Sequence, residues 1–227
     1  MLGFQYGDAT SREWTGQVMR TLCHVAYSSS VELARERGPF PLFDKDKYLK
    51  SRFIQSLPDT IKSSIEQYGI RNSHLIAIAP TGTISLLANN VSSGIEPIFN
   101  LSYERTVLND DGSATSYSLE DHAYQCWREK HNAADSIPNV FVTAHQLAPQ
   151  IHIDMQSLIQ RYVDNAVSKT INIPKDYSYN DYKSLYMLAY EKGLKGCTTF
   201  RPNPVTGEIL GSHPHNLISK SCCEIPG

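Results

Sequence analysis

Between Glu13 and Arg37 apolar residues recur at three- and four-residue spacing, and Gly38 with Pro39 supplies a stop. The pattern predicts a long helix, with a bend allowed at Ser28, Ser29 and Ser30. After a proline-containing link, DTIKSSIEQYG reads as a short helix closed by Gly69. HLIAIA, residues 74–79, is short, branched and bounded by polar residues, which predicts a buried strand. Pro-Thr-Gly-Thr interrupts the run at 80–83, and ISLLANN resumes it as a helix. NLSYERTVLND alternates like an extended segment and ends in the turn NDDGS. SLEDHAYQCWREKH opens with a Ser-x-x-Asp cap signal and continues as a helix. APQIHIDMQSLIQRYVDNA is a second amphipathic helix, with Ile153, Leu158, Ile159, Tyr162 and Val163 at apolar positions. It leads into VSKTINIP, a strand stopped by Pro174. Ser178 caps YNDYKSLYMLAYEKG, Gly193 sits where a C-terminal cap belongs, and LKGCTTFRP follows as a final strand.

The order helix, strand, helix, strand, helix, strand argues for an α/β architecture with parallel pairing. Three or four strands are few for a closed barrel, so the chain reads as part of a larger fold. After Pro202 the composition shifts to Asn, Pro, Gly, Ser and His, which divides the chain into a folded body, 1–202, and a flexible tail, 203–227.

A length of 227 residues suffices for a real core, and the formal charge of -2 points to neither nucleic acid nor an anionic membrane surface as a partner. The start, MLGFQYGDATSREW, has no secretory pattern, and no apolar run approaches the roughly 20 residues that span a bilayer. The expectation is a cytoplasmic protein. Five cysteines without paired spacing argue against a disulfide framework, and Cys23 and Cys126 fall in apolar helical patterns as small core residues.

The junction at 80–85 carries the first candidate chemistry. A strand that turns into a helix leaves the first helical N–H groups unpaired, a ready site for an anion. Gly82 allows close backbone approach, Thr81, Thr83 and Ser85 add hydroxyls, and the amides through Ile84 and Ser85 complete a cradle. The alternative is a threonine that merely caps the helix. Glu96, held between Gly94 and Pro97, suits a general base, a ligand-orienting acceptor or an ordinary turn carboxylate. Lys169 is a charge inside a strand pattern, facing a cavity or a partner, or else snorkelling from an edge. His213 and His215 with Cys222 and Cys223 lack the spacing of a structural zinc site, and no metal site is expected. The vicinal Cys222 and Cys223 suit thiol exchange on a swinging arm.

Taken together, RNSHLIAIAPTGTISLLANNVSSGIEPIF, VSKTINIP and GLKGCTTFRP resemble the C-terminal part of the large chain of ribonucleotide reductases, across about residues 15–204. The variant most similar is class II, the adenosylcobalamin-dependent ribonucleoside-diphosphate reductases. That family's fold is a ten-stranded α/β barrel, so the resemblance implies the C-terminal portion of such a barrel. It also implies that Thr81, Gly82, Thr83, Ile84 and Ser85 hold the phosphates of a ribonucleotide substrate. Class I members carry two adjacent tyrosines in the strand matching KGCTTFRP; Thr198 and Thr199 stand near those positions here, as suits class II.

The family's radical cysteine lies in an Asn-x-Cys-x-Glu arrangement, and no such arrangement occurs in this sequence. Cys197, in the terminal strand, does not take that role. The resemblance therefore implies a larger N-terminal reductase chain as partner, carrying the radical cysteine, with this chain the smaller product of a split enzyme and inactive alone. A dithiol reductant such as thioredoxin would regenerate it, and adenosylcobalamin would be bound by the assembled complex. The rival readings are a freestanding nucleotide- or phosphate-binding regulatory module and a structural scaffold without part in the chemistry.

Overall fold

The computed structural model describes residues 2–91, 93–132 and 134–201. The predicted tail, with His213, His215, Cys222 and Cys223, lies outside them. Helix α1 (Ala9–Arg37) starts where the Asp8 carboxylate accepts the Ser11 amide at 2.6 Å, and ends where Gly38, at φ 76°, returns its N–H to Ala34. It runs through the three serines without interruption. Met19, Cys23, Tyr27, Val31 and Ala34 form its buried stripe, which packs against α4 (Asp59–Tyr68) and α7 (Pro149–Gln160). Gly7, at φ 82°, lies so close to α7 that a Cβ there would collide with Ile151 Cγ2.

The proline-containing link folds into two short helices, α2 (Lys45–Leu49) and α3 (Arg52–Gln55), under an aromatic cluster of Phe40, Phe43 and Tyr48. Five and four residues are too few to display a helical period.

Residues 74–79 depart from the strand expected of them. The segment makes only an isolated parallel bridge, Ile78 to Val167, in which Ile78 gives its amide to the Ala166 carbonyl at 3.2 Å and accepts the Ser168 amide at 2.9 Å, and the bridge does not extend to Leu75 or Ile76. The Asp164 carboxylate binds the N–H groups of Leu75 and Ile76, at 2.7 and 2.8 Å, in place of a neighbouring strand. Helix α5 (Gly82–Leu87) follows and is short, stopped by Asn89 and Asn90 in the left-handed region at φ 61° and 58°.

A second departure is an antiparallel hairpin, β1 (Ser102–Leu108) with β2 (Ala114–Glu120), in register from Ser102 opposite Glu120 to Leu108 opposite Ala114. Ser118 therefore belongs to a strand and caps nothing. The cap of α6 (His122–Arg128) is Asp121, which accepts the Tyr124 amide at 3.0 Å. Helix α7 begins with Pro149 in its first turn and carries Ile153, Met155 and Ile159 into the core.

The parallel expectation holds at β3 (Thr170–Asn172) and β4 (Thr198–Phe200), joined through α8 (Tyr179–Glu191) as a βαβ unit. Ser178 caps α8 by accepting the Asp181 amide, and Gly193 follows it at φ 75°. Ile171 and Ile173 of this unit pack on Ile153, Leu185 and Ala189 as a second core beside the larger one around α1. The described residues form a mixed α/β body with one parallel pair and one antiparallel hairpin, and no described helix is long and apolar enough to cross a membrane.

Candidate functional site

Helix α5 opens on Thr81 at φ 52°, a left-handed conformation that costs a β-branched residue on the order of 1–3 kcal/mol. What holds it there is its own hydroxyl: Thr81 Oγ1 accepts the Gly94 amide at 2.7 Å, tying the helix entry to the following turn. Gly94 is itself at φ 58°, and a Cβ there would meet the Ala79 carbonyl at 2.9 Å. Ser85 is buried, gives its amide to the Thr81 carbonyl at 2.8 Å and its hydroxyl to the Val91 carbonyl. Two of the three hydroxyls expected as ligand donors thus shape the loop, although Thr81 keeps its proton to donate.

Gly82 and Thr83 are exposed, and the first amides of α5 have no partner within the helix by its geometry. Gly82, Thr83 and Ser85 border a cleft of about 490 Å³ whose other walls include Glu96, Asn100, Tyr103, Asn172 and Phe200. Neither Thr81 nor Ile84, the latter 66% exposed, is among the residues that line it. The cleft therefore joins the Pro-Thr-Gly-Thr junction to the C-terminal residues of the two parallel strands, the edge at which α/β sheets bind ligands.

The turn at 94–98 is fastened from four sides. Besides the Thr81 tie, Tyr6 donates its hydroxyl to the Ile95 carbonyl at 2.7 Å, and the Ala144 amide binds the Ile98 carbonyl at 2.7 Å. The fourth tie is Glu96, whose Oε1 accepts the Thr170 amide at 2.6 Å and whose Oε2 meets Lys169 Nζ at 2.5 Å. Glu96 and Lys169 were each singled out in the sequence, and the fold makes them one ion pair. The snorkelling alternative for Lys169 is excluded, since its side chain is 0% exposed.

Lys169 has a second partner that sequence reasoning missed. Its Nζ donates to His152 Nδ1 at 2.9 Å, while His152 Nε2 donates to the Ala144 carbonyl at 3.3 Å, so the imidazole is neutral with its proton on Nε2. Burial, together with the Lys169 charge, pushes the His152 pKa down to about 4. Burial lowers Lys169 as well, and Glu96 opposes that effect. The signal available was a histidine between two isoleucines, on the inward face of a helix, in PQIHIDMQ.

Of the cysteines, Cys23 is fully buried as expected, and burial pushes its thiol up to about 11. Cys126 is only partly buried, with Sγ 3.7 Å from His122 Nε2. Cys197 is partly buried immediately before β4 and does not border the cleft.

Comparison with known proteins places the sequence in a family. The family model for the ribonucleotide reductase barrel domain matches residues 1–200. A vitamin B12-dependent ribonucleoside-diphosphate reductase of Mycobacterium tuberculosis (strain CDC 1551 / Oshkosh) is 30% identical, over 100% of this chain and 33% of its own length. Its counterpart in Thermoplasma acidophilum is 32% identical, over 92% of this chain and 27% of its own length. A ribonucleoside-diphosphate reductase subunit alpha of Chlamydia pneumoniae is 26% identical over 90% of this chain and 23% of its own length. The chain thus spans a third or less of the length of these curated relatives.

Proposed function

Because the chain belongs to the ribonucleotide reductase barrel family, we propose that it forms the C-terminal part of the catalytic barrel of an adenosylcobalamin-dependent reductase, working in the cytoplasm. Its task is to close the barrel and hold the substrate phosphates. The observation that carries the reading is the cleft at the start of α5, where Gly82, Thr83 and Ser85 meet the ends of β3 and β4. In this reading the amides of Gly82, Thr83 and Ile84 and the Thr83 hydroxyl bind phosphate oxygens. Ser85 and the Gly94 tie keep Thr81 in place, so that Thr81 shapes the cradle and its carbonyl fixes the first turn of α5.

The sequence contains no Asn-x-Cys-x-Glu arrangement. The radical cysteine is accordingly assigned to the remainder of the barrel, on a larger reductase chain. In the overall reaction the substrate's 2′-hydroxyl leaves as water, a hydrogen takes its place, and a dithiol such as that of thioredoxin becomes a disulfide. Adenosylcobalamin supplies the initiating radical in such enzymes. Its corrin ring already supplies the cobalt's four equatorial nitrogens, and its pocket is assigned to the assembled complex.

The test is deoxynucleotide formation from a ribonucleoside diphosphate with adenosylcobalamin and a dithiol, for this chain alone and mixed with a larger reductase chain. Activity in the mixture alone supports the reading. A larger chain fully active by itself would favour a freestanding phosphate-binding module or scaffold, and Thr81→Ala with Ser85→Ala separates those two by whether nucleotide binding falls.

A further inference from the structure

The cleft proposed for phosphate has an electrostatic difficulty. Its lining includes two carboxylates, Glu96 and Asp121, and among the described lining residues no Lys or Arg. Asp121 is offset by its position at the start of α6, where it accepts the Tyr124 amide. Glu96 has no such helix, and a carboxylate beside the site would repel an anion by an amount that grows as water is excluded. The compensating charge lies one layer back. Lys169 reaches Glu96 from the core side, with its own side chain wholly removed from solvent and its remaining donors taken up by His152 and the Thr170 carbonyl. Neutral His152 adds no charge there, so the net charge of the Glu96–Lys169–His152 unit is zero.

Resting on the phosphate-binding reading above, we infer that Lys169 is a positioning residue whose buried ammonium cancels Glu96 and thereby admits a phosphorylated ligand to a cleft without a lining cation. The same ion pair fastens the 94–97 turn, and through Gly94 it fastens Thr81, so charge and loop geometry are set by one contact. Lys169 touches no ligand in this arrangement. It acts through Glu96.

Charge and packing predict different signs, which makes the two separable. Inorganic pyrophosphate is titrated calorimetrically at fixed ionic strength into the wild-type chain, Lys169→Met, Glu96→Gln and the double variant, each first shown to be folded by circular dichroism and a cooperative unfolding transition. Removing the lysine is expected to weaken pyrophosphate binding by about tenfold, and removing the carboxylate's charge to tighten it about threefold, as unit charges at this depth act over several ångströms. The double variant is expected to return to within about threefold of wild type. A packing role alone weakens binding in all three variants and never tightens it, so a Glu96→Gln loss matching that of Lys169→Met, with no recovery in the double, overturns the inference. Wild-type affinity in Lys169→Met overturns it equally. If the wild-type chain takes up no pyrophosphate either alone or mixed with the larger reductase chain, the phosphate reading falls and this inference with it. A Lys169→Met that proves unfolded leaves the sign of the Glu96→Gln effect to decide: tightening supports the inference and weakening overturns it.

Discussion

Asp164 and Glu96 each fasten a loop by accepting backbone amides, but their surroundings differ in kind. Asp164 is buried among neutral donors: the Tyr27 hydroxyl at 2.7 Å, the amides of Leu75 and Ile76, and the Asn165 side chain at 3.3 Å. The nearby Lys195 ammonium binds the Asp164 backbone carbonyl and leaves the carboxylate to these dipoles. Burial, with the bond to Asp164, drives the Tyr27 pKa upward, so the phenol stays a donor. Glu96 borders the cleft and is matched by a full opposite charge. A carboxylate satisfied by dipoles is a staple, whereas one paired with an ammonium also governs the field its cleft presents. The comparison predicts that damage at Asp164 appears as lost stability alone, and damage at Glu96 or Lys169 as altered ligand affinity as well.

The largest expected effect is Asp164→Asn. An asparagine can accept one of the two amides but turns a donor toward the other, and it forfeits the charge on all of these bonds. A loss of about 4 kcal/mol is expected in urea unfolding, with pyrophosphate affinity per folded molecule unchanged. An affinity that fell with stability would erase the distinction between the two carboxylates.

Next comes pH. His152 is depressed to about 4 against an ordinary value near 6.5, so between those limits the unfolded chain takes up a proton that the folded chain refuses. This contribution is complete above pH 6.5 and is lost as pH falls toward 4, amounting to about 3 kcal/mol across the window. His152→Gln should flatten that part of the stability profile, measured by urea unfolding at pH 7 and 4.5. Equal slopes in both proteins would show that the imidazole is not held neutral beside Lys169.

Gly94→Ala tests the turn without touching a charge. With φ at 58° and the Ala79 carbonyl 2.9 Å from the new Cβ, it is expected to cost about 2 kcal/mol. Amide exchange should quicken at Gly94–Glu96 and leave Leu75 and Ile76 protected, confining the damage to the cleft side.

The same contrast explains what could be read in advance. Long periodic elements were legible: α1, α4 and α8 fall where apolar spacing and the caps Gly38, Gly69, Ser178 and Gly193 put them. Helix α7 starts as expected but ends at Gln160, leaving Tyr162 and Val163 beyond it, because apolar positions continue past its last turn. The segment 74–79 was misjudged on both counts: of the expected buried strand only Ile76 is buried, and a carboxylate about ninety residues away takes the amides of Leu75 and Ile76, which apolar run length does not report. The hairpin was half missed because ATSYSLE is mostly exposed and carries no apolar alternation, while Ser118 and Asp121 imitate a helix cap. At the site, Glu96 and Lys169 were visible as charges out of place, but their pairing spans 73 positions and depends on packing that no local pattern encodes. His152 was hidden for the converse reason, since a buried neutral imidazole resembles any other inward-facing position of a helix.

The smallest effect is the sharpest check on the Asp164 side. Tyr27→Phe removes one hydroxyl and keeps the ring that packs against Phe53 at a centroid distance of 5.7 Å. Asp164 retains the amides of Leu75 and Ile76, so the lost bond should cost about 1 kcal/mol, the value of a hydrogen bond whose acceptor keeps other donors. If the carboxylate needed the phenol as Glu96 needs its ammonium, the loss would instead approach that of breaking a buried ion pair, about 3–5 kcal/mol. Urea unfolding of Tyr27→Phe beside Lys169→Met therefore measures the contrast directly: a small cost at the phenol and a large one at the lysine set dipolar and ionic compensation apart, and equal costs would make the two carboxylates alike.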